Sequence, residues 1–490
     1  MKNILTRRLI HVLLPGILLI SGCENFLGVE PDSTRALIRT PQEVSQLLTT
    51  AYPQSSYVLF SESMSDNVSD KGVGEEDRTN RDAYRFDVIT APVDEQDSPD
   101  MYWAECYRAI SVANQALEII RNAENPAQFD AQKGEALLAR AYGHFMLVSF
   151  FSKFYEPGKT NDSPGIPYVT EPEKVVIKQY ERKTVDYVYE MIEKDITEGI
   201  PLIDDASYTV STYHFNKAAS HAFASRFYLV KREYEKVIAH ANEVFGGSAA
   251  GSFLRNWNTT YASMSPEMLF NTYSRASERS NLLLIETASL YGRHLANYRY
   301  GLTFAKYSEI FFSSRVVNSN ARWVQPLYYR GDGNYFIPKL TEYFVRESVN
   351  AEIGFPYVML PVITAEEVLF NRAEALAMLN RNNEALSDLN LYASKRIANY
   401  NSGTHQLTLA KIRSFYNTNN TTTGLINTIL DYKRAEFVQE GMRWFDMQRW
   451  GLPVTHVTAG ATISLNADDP KRVLQLPQSV SLSGLPLNPR

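Results

Sequence analysis

The strongest constraint on this chain is a run of segments in which apolar residues recur at three- and four-residue steps. In "MYWAECYRAISVANQALEIIRNA", starting at Met101, Trp103, Tyr107, Ile110, Ala113, Leu117 and Ile120 fall on one stripe, which predicts an amphipathic helix. "FDAQKGEALLARAYGHFMLVSFFSKFYEP" is small-residue-rich at Ala136, Ala139, Ala141 and Gly143 and apolar all round before Pro157, as expected of a helix closely packed on its neighbours. "TVDYVYEMIEKDITEGI" is a third amphipathic block, and "NKAASHAFASRFYLVKREYEKVIAHANEVF" reads as a helix pair with a turn near Lys231-Arg232-Glu233. Near the start, Thr40 stands as a helix N-cap ahead of Pro41, with Val44, Leu47 and Leu48 on one face. The fold class that follows is mostly α.

The helix pair has an echo. In "ITAEEVLFNRAEALAMLNRNNEALSDLN", Ala373 is followed twelve residues later by Ala385, as Ser225 is by Val237, with Tyr228 three on from Ser225. Small residues at fixed offsets around a short bend are the logic of a tetratricopeptide hairpin, where the helices meet at those positions. The pairs are not tandem, so tetratricopeptide-like units within one globular body are expected rather than a solenoid.

Two regions lack this periodicity. "SESMSDNVSDKGVGEEDRTNRDAYRFDV" is polar and Gly-punctuated and predicts a long surface loop. Residues 246–361 are rich in Tyr, Arg, Asn, Ser and Gly; "EMLFNTYS" and "PLYYRGDGNYFIPKL" read as short strands and loops, the natural place for a binding surface. The domain reading is 1–22 leader, 23–40 tether, 41–245 helical part, 246–361 irregular ligand-binding segment and 362–490 C-terminal helical part.

The N-terminus adds an address. Lys2, Arg7 and Arg8 precede the apolar "LIHVLLPGILLI", and Ser21-Gly22 precede Cys23. This is a secretion signal too short to span a bilayer, which takes about 20 apolar residues. With Cys23 and Cys106 the only cysteines, neither a disulfide framework nor a Cys/His zinc site is available. The order apolar, small, Gly, Cys resembles the bacterial lipobox, which implies acylation of Cys23 and anchorage in membrane lipid; an ordinary signal peptide with a chance cysteine is the alternative. The net charge of −6 grows more acidic once the basic leader leaves, which argues against nucleic acid as a partner.

In "LDYKRAEFVQEGMRWFDMQRWG", Ala435, Val438, Met442 and Phe445 mark one helical face, and Glu440, Arg443, Asp446 and Arg449 are spaced to pair along the helix. The stretch "KRAEFVQEGMRWFDMQRWG" resembles the C-terminal signature of the SusD/RagB family. "CENFLGVEP", "WAECYRAISVANQALEII", "GEALLARAYGHFMLV", "AEEVLFNRAEALAMLNRNNEALSDLN" and "VLQLPQSVSLSGLPLNP" resemble its other landmarks, in order. The resemblance implies a helical body with four tetratricopeptide-like units and an irregular part bearing the ligand site. It also implies a non-enzymatic outer-membrane lipoprotein that presents glycans, or in some members peptides, to a SusC-like TonB-dependent transporter. No H-E-x-x-H, G-x-S-x-G, P-loop or G-x-G-x-x-G is present, and neither a catalytic residue nor a cofactor is expected. A protein-binding tetratricopeptide scaffold and a secreted glycoside hydrolase are the competing readings.

Sugar capture needs exposed aromatic planes for the C–H face and polar groups for the hydroxyl rim. Tyr298 and Tyr300, Trp323, Tyr328, Tyr329 and Arg330 are the candidates, with Tyr84 placed to face them; burial in the body is the competing reading for each. Tyr298 and Tyr300, two apart, would share a strand face. Asp66, Asp70, Glu75, Glu76 and Asp77 lack EF-hand spacing, so a solvated acidic loop is expected and no metal.

Overall fold

Thr40 caps the first helix as the sequence predicts. Its hydroxyl accepts from the Glu43 N–H and the Glu43 carboxylate accepts from the Thr40 N–H, a reciprocal cap on helix α1 (Pro41–Leu48). The computed structural model describes residues 38–174, 178–246, 248–313 and 321–490, of which 40–490 make one compact unit. The leader 1–22, Cys23 and most of the tether lie outside the described residues. About 50% of the chain is helical and the strands are few and short, so the mostly α class holds.

Polarity misleads over residues 61–88. In place of one long surface loop they contain the end of a fully buried helix, α2 (Val58–Met64), a two-residue strand, β1 (Ser69–Asp70), and α3 (Arg78–Arg85), capped by Asp77. The polar residues are spent on interior hydrogen bonds. The Ser61 hydroxyl donates to Gly441 O, and Asn80 Nδ2 donates to Ser63 Oγ and Tyr300 O at 2.8 Å each. The stretch between β1 and α3 is an exposed loop, as are residues 87–88 after α3.

The long helices follow the apolar stripes. α4 (Pro99–Arg121), α5 (Asp130–Phe151) and α6 (Val185–Gly199) pack side by side, and the small residues of α5 permit it. A Cβ on Gly143 would come within 2.9 Å of Ile110 Cγ1, and one on Gly134 within 2.8 Å of Gly199 O. The two predicted hairpins are α7 (Lys217–Lys231) with α8 (Tyr234–Phe245), and, after the central block, α12 (Ala365–Met378) with α13 (Asn382–Ser394). Ser225, Tyr228, Val237, Ala373 and Ala385, the echoed positions, are all buried. Though far apart in sequence, the hairpins meet: α12 lies against both α7 and α8, and Arg226 bonds Glu367 at 2.6 Å between them.

The central block carries α9 (Pro266–Tyr273), strand β2 (Asn281–Ala288), α10 (Tyr291–His294), β3 (Tyr300–Gly301), α11 (Phe304–Ser308), β4 (Tyr328–Tyr329), β5 (Tyr335–Phe336), β6 (Glu342–Arg346) and β7 (Gly354–Thr364). Strands β2, β7 and β6 form an antiparallel sheet in that order, with Leu284 opposite Pro361 and Tyr343 opposite Tyr357. "EMLFNTYS" is not the expected strand: Ser265 caps Met268 N and Pro266 takes the first helical position, so the segment starts α9. The short strands expected in "PLYYRGDGNYFIPKL" are β4 and β5, and they pair as an antiparallel hairpin.

After α14 (Ser402–His405) and α15 (Leu409–Phe415), α16 (Thr421–Glu436) packs on α12. The signature then departs from one continuous helix. α17 (Arg443–Arg449) is separate, and Gln439 and Gly441 sit between the two helices at φ 65° and 72°. The Glu62 carboxylate accepts from Gln439 N and Gly441 N, at 2.8 and 3.0 Å, and holds that turn. Of the expected pairs along the helix, only Arg449–Asp446 forms; Glu440 goes to Lys339 and Arg443 to Asp66. Strands β8 (Val454–Val457) and β9 (Thr462–Leu465) follow.

Candidate functional site

Between β4 and β5 the chain reverses through Arg330-Gly331-Asp332-Gly333-Asn334. Gly331, Asp332 and Gly333 have φ of 87°, 49° and 73°, a left-handed turn that two glycines and an aspartate tolerate. Arg330 N donates to Asn334 O at 2.9 Å and Asn334 N to Gly331 O at 2.8 Å, closing it. Cross-strand pairing then sets Tyr329 opposite Tyr335, ring centroids 4.9 Å apart.

That pair is one end of an aromatic ridge whose outer rings are exposed and whose link at Tyr307 is buried. Tyr335 lies 5.8 Å from Phe304, Phe304 lies 6.4 Å from Tyr307, and Tyr307 lies 5.6 Å from Phe312. Tyr329, Phe304 and Phe312 are 60%, 54% and 45% exposed. Rings this open on a folded surface cost apolar hydration, and such a patch marks a place of contact. Neither the Tyr329 nor the Tyr335 hydroxyl bonds to another described residue, so both donors face solvent or ligand.

Polar groups border the ridge. Lys71 Nζ donates to Ala296 O at 2.9 Å and to Asn334 Oδ1, which ties the loop between β1 and α3 to the hairpin turn. Burial pushes the Lys71 ammonium down to about 8, so it carries its charge at neutral pH at reduced margin. Arg330 is exposed, its guanidinium 4.5 Å from the Phe336 ring centroid, and Lys306 pairs with Glu309 at 3.1 Å. Exposed aromatic faces with adjacent guanidinium, ammonium and carboxamide groups can take a ligand with an apolar face and a hydroxyl rim.

The loop beside this ridge is shaped by backbone pairing. Ser69 and Asp70 pair with Gly301 and Tyr300, Glu75 N donates to Asn297 O at 2.8 Å, and Arg299 N donates to Glu75 O at 3.0 Å. At Gly74, with φ 114°, a Cβ would come within 2.7 Å of Asn297 O, so the approach needs glycine. The acidic residues here are not merely solvated. Asp70 and Glu76 both pair with Arg299, Glu75 with His294, and Asp66 with Arg443, while Asp77 caps α3.

The predicted site residues divide. Tyr328 is half-buried, Tyr329 and Arg330 are exposed, and all three lie on the β4–β5 hairpin. Tyr84, Tyr298, Tyr300 and Trp323, expected as exposed planes, are instead buried. Tyr84 and Tyr300 do face each other, but in the interior: their rings stack at 4.3 Å, and His456 stacks on the other side of Tyr84 at 4.0 Å. The Tyr84 hydroxyl donates to Val457 O and accepts from Asp70 N, so this stack braces β1 from beneath. Tyr298 packs beside Tyr291, and Trp323 against Tyr432 at 5.0 Å. Alternation does not put Tyr298 and Tyr300 on a shared open face, because only Tyr300 belongs to β3 and both pack inward. Sequence reasoning missed Phe304, Phe312, Tyr335 and Lys71. The one available signal was Tyr335, six residues beyond Tyr329 across a Gly-Asp-Gly turn, which a hairpin register makes its partner.

With the fold and site in view, comparison with known proteins is informative. A SusD-like profile described as "Starch-binding associating with outer membrane" matches residues 25–229, and the SusD family profile matches residues 340–473. Among curated proteins none matches this sequence. Solved structures align over nearly the whole chain. A SusD superfamily protein from Bacteroides fragilis is 20% identical, covers 91% of this chain and 99% of its own, and superposes with a TM-score of 0.64. A SusD-like carbohydrate binding protein from Bacteroides vulgatus gives 17%, 91%, 96% and 0.63. A SusD superfamily protein from Bacteroides thetaiotaomicron gives 18%, 92%, 100% and 0.62. Two profiles of one family, matched in order on either side of the aromatic block and joined by a shared fold, lead to one conclusion: the chain belongs to the SusD family.

Proposed function

We propose that this chain is a non-enzymatic, surface-exposed lipoprotein that captures oligosaccharides and hands them to a SusC-like TonB-dependent transporter in the outer membrane. Acylated Cys23 anchors it in outer-membrane lipid. The observation that carries the reading is the ridge with open rings at Tyr329, Phe304 and Phe312, joined through half-buried Tyr335 and buried Tyr307, with Arg330, Asn334 and Lys71 beside it, on a fold whose structural relatives include a carbohydrate binding protein. Sugar rings lay their C–H faces on such planes while hydroxyls bond the border. The family profile's description, starch binding and outer-membrane association, supports both ligand class and location.

The test uses the chain without residues 1–22 and with Cys23 replaced, titrated calorimetrically with an oligosaccharide panel while products are followed by chromatography. Saturable binding with every oligosaccharide recovered intact is expected. Cleavage of any oligosaccharide overturns the reading in favour of a hydrolase; tight association with a partner barrel but with no oligosaccharide overturns it in favour of a protein scaffold.

A further inference from the structure

A second cavity lies elsewhere in the molecule and shares no residue with the ridge. It holds about 590 Å³ and is walled by the chain after α5, the α7–α8 bend, the end of α17 and the C-terminal segment. That volume suits one or two sugar rings rather than a bare ion.

Two features of its wall call for an explanation. Arg232 caps α7 in the left-handed region, φ 57°, where glycine is the usual and less strained choice. Its exposed guanidinium extends over the Trp450 ring, 5.6 Å from the centroid. A strained backbone thus delivers a cation to an aromatic wall at the edge of the cavity, an arrangement suited to an anionic group on a ring.

The charge arrangement agrees. Of the cavity's cations, Arg449 is spent on Glu374 and Asp446, and Lys153 on Glu156 at 2.5 Å. Arg472 is spent on Gln448 Oε1 and backbone carbonyls, with Asp468 and Asp469 close enough to act on it. Arg232 and Lys159 remain, and among the described residues no carboxylate lies within ion-pair distance of either. Tyr155, Pro157 and Trp450 supply apolar wall between the charged groups.

We propose that this cavity is a second ligand site for an acidic sugar, a uronic acid or sulfated ring whose anionic group takes the Arg232 guanidinium and Lys159 ammonium while its ring lies against the Trp450 side of the wall. A guanidinium offers planar paired donors that match carboxylate and sulfate alike. The site stands whether or not the ridge binds neutral glycans.

The full chain, purified in detergent, is titrated calorimetrically with trigalacturonate, a sulfated heparin disaccharide, neutral maltotriose and inorganic sulfate. One of the two acidic sugars is expected to bind one-to-one and at least tenfold more tightly than maltotriose or sulfate, with affinity falling as salt rises. Arg232→Ala should weaken it at least tenfold, and Arg232→Lys less. Arg232→Gly should abolish tight binding while leaving the melting temperature unchanged or higher, which a merely structural role for Arg232 would not produce. Tyr329→Ala reads which site holds the titrated sugar: loss with Tyr329→Ala but not with Arg232→Ala places it on the ridge and overturns the proposal. So do binding of neither acidic sugar, unchanged affinity in Arg232→Ala, and sulfate binding as tight as the sugars.

Discussion

Tyrosine serves two opposite ends in this chain, and single-residue changes separate them. Tyr329 is open to solvent and Tyr84 is sealed between Tyr300 and His456. Tyr329→Ala should weaken oligosaccharide binding by about tenfold, roughly 1.4 kcal/mol of stacking, with no change in melting temperature. Tyr84→Ala should instead cost roughly 3–5 kcal/mol of stability, the usual range for deleting a buried aromatic. Calorimetric titration and thermal melts of the two variants check the contrast. The sequence "DAYRF" around Tyr84 and "LYYRG" around Tyr329 are equally polar and aromatic, which is why composition alone could not sort them. Burial of Tyr84 depends on His456, 372 residues away, whose Nδ1 bonds Tyr84 O.

A buried histidine gives a pH signature at the same scale. His144 Nε2 accepts from Val169 N at 3.0 Å, so its proton sits on Nδ1, which donates to Arg140 O at 2.8 Å. Burial pushes the imidazole down to about 3, below its ordinary 6.5. The unfolded chain therefore binds a proton that the folded one refuses between pH 6.5 and 3, and His144 loses stabilising power as pH falls through that window. At pH 4 the loss reaches about 3 kcal/mol. His144→Gln cannot titrate, so the gap in melting temperature between wild type and variant should narrow from pH 7 to pH 4; a constant gap would refute the assignment.

At the scale of elements, the helices were legible and the site was only half so. Periodic apolar stripes and capping residues are local signals, and α4, α5, α7, α8, α12 and α13 follow them. The 61–88 segment was misread because its serines, asparagines and Glu62 satisfy one another and distant backbone, and no local pattern distinguishes a buried polar network from a solvated loop. The β4–β5 hairpin is the opposite case: "RGDGN" between aromatic pairs is itself the turn signal. Because Gly331 and Gly333 hold φ of 87° and 73°, replacing both with alanine should strain the turn by roughly 1–2 kcal/mol at each position. The strain falls on an exposed hairpin outside the helical core, so glycan affinity should drop several-fold while the melting temperature moves little. Spectroscopic melts and titrations of the double variant distinguish that outcome from global destabilisation.

For the whole molecule, the decisive feature is a buried charge relay that crosses the expected domain boundaries. Glu366, at the start of α12, accepts from Arg255 N at 2.8 Å, from Arg255 Nη1 at 3.0 Å, from Arg396 Nη2 at 3.1 Å and from the Ser280 hydroxyl. Arg396 in turn pairs with Glu436 at 2.7 Å. Burial would raise the Glu436 carboxyl, but the Arg396 guanidinium against it holds it down at about 2. Arg255 and Ser280 belong to the aromatic-rich central block, Glu366 and Glu436 to the C-terminal helices and Arg396 to the turn after α13, and the arginine and glutamate side chains are fully enclosed. Removing one charge from such a set leaves its partners unpaired where water cannot compensate, a cost of roughly 3–5 kcal/mol. Glu366→Gln should therefore lower stability by about that much. If the central block and the helical body share one core, differential scanning calorimetry should show a single endotherm for residues 40–490 in both proteins, displaced downward in the variant. Separate melting of the central block in Glu366→Gln, leaving a second transition at the wild-type temperature, would mean that the relay joins two independent bodies. A ridge carried by a block that shares its core with the helices is held rigid against them, so ligand affinity below the transition should be the same in Glu366→Gln as in wild type, even as its melting temperature falls.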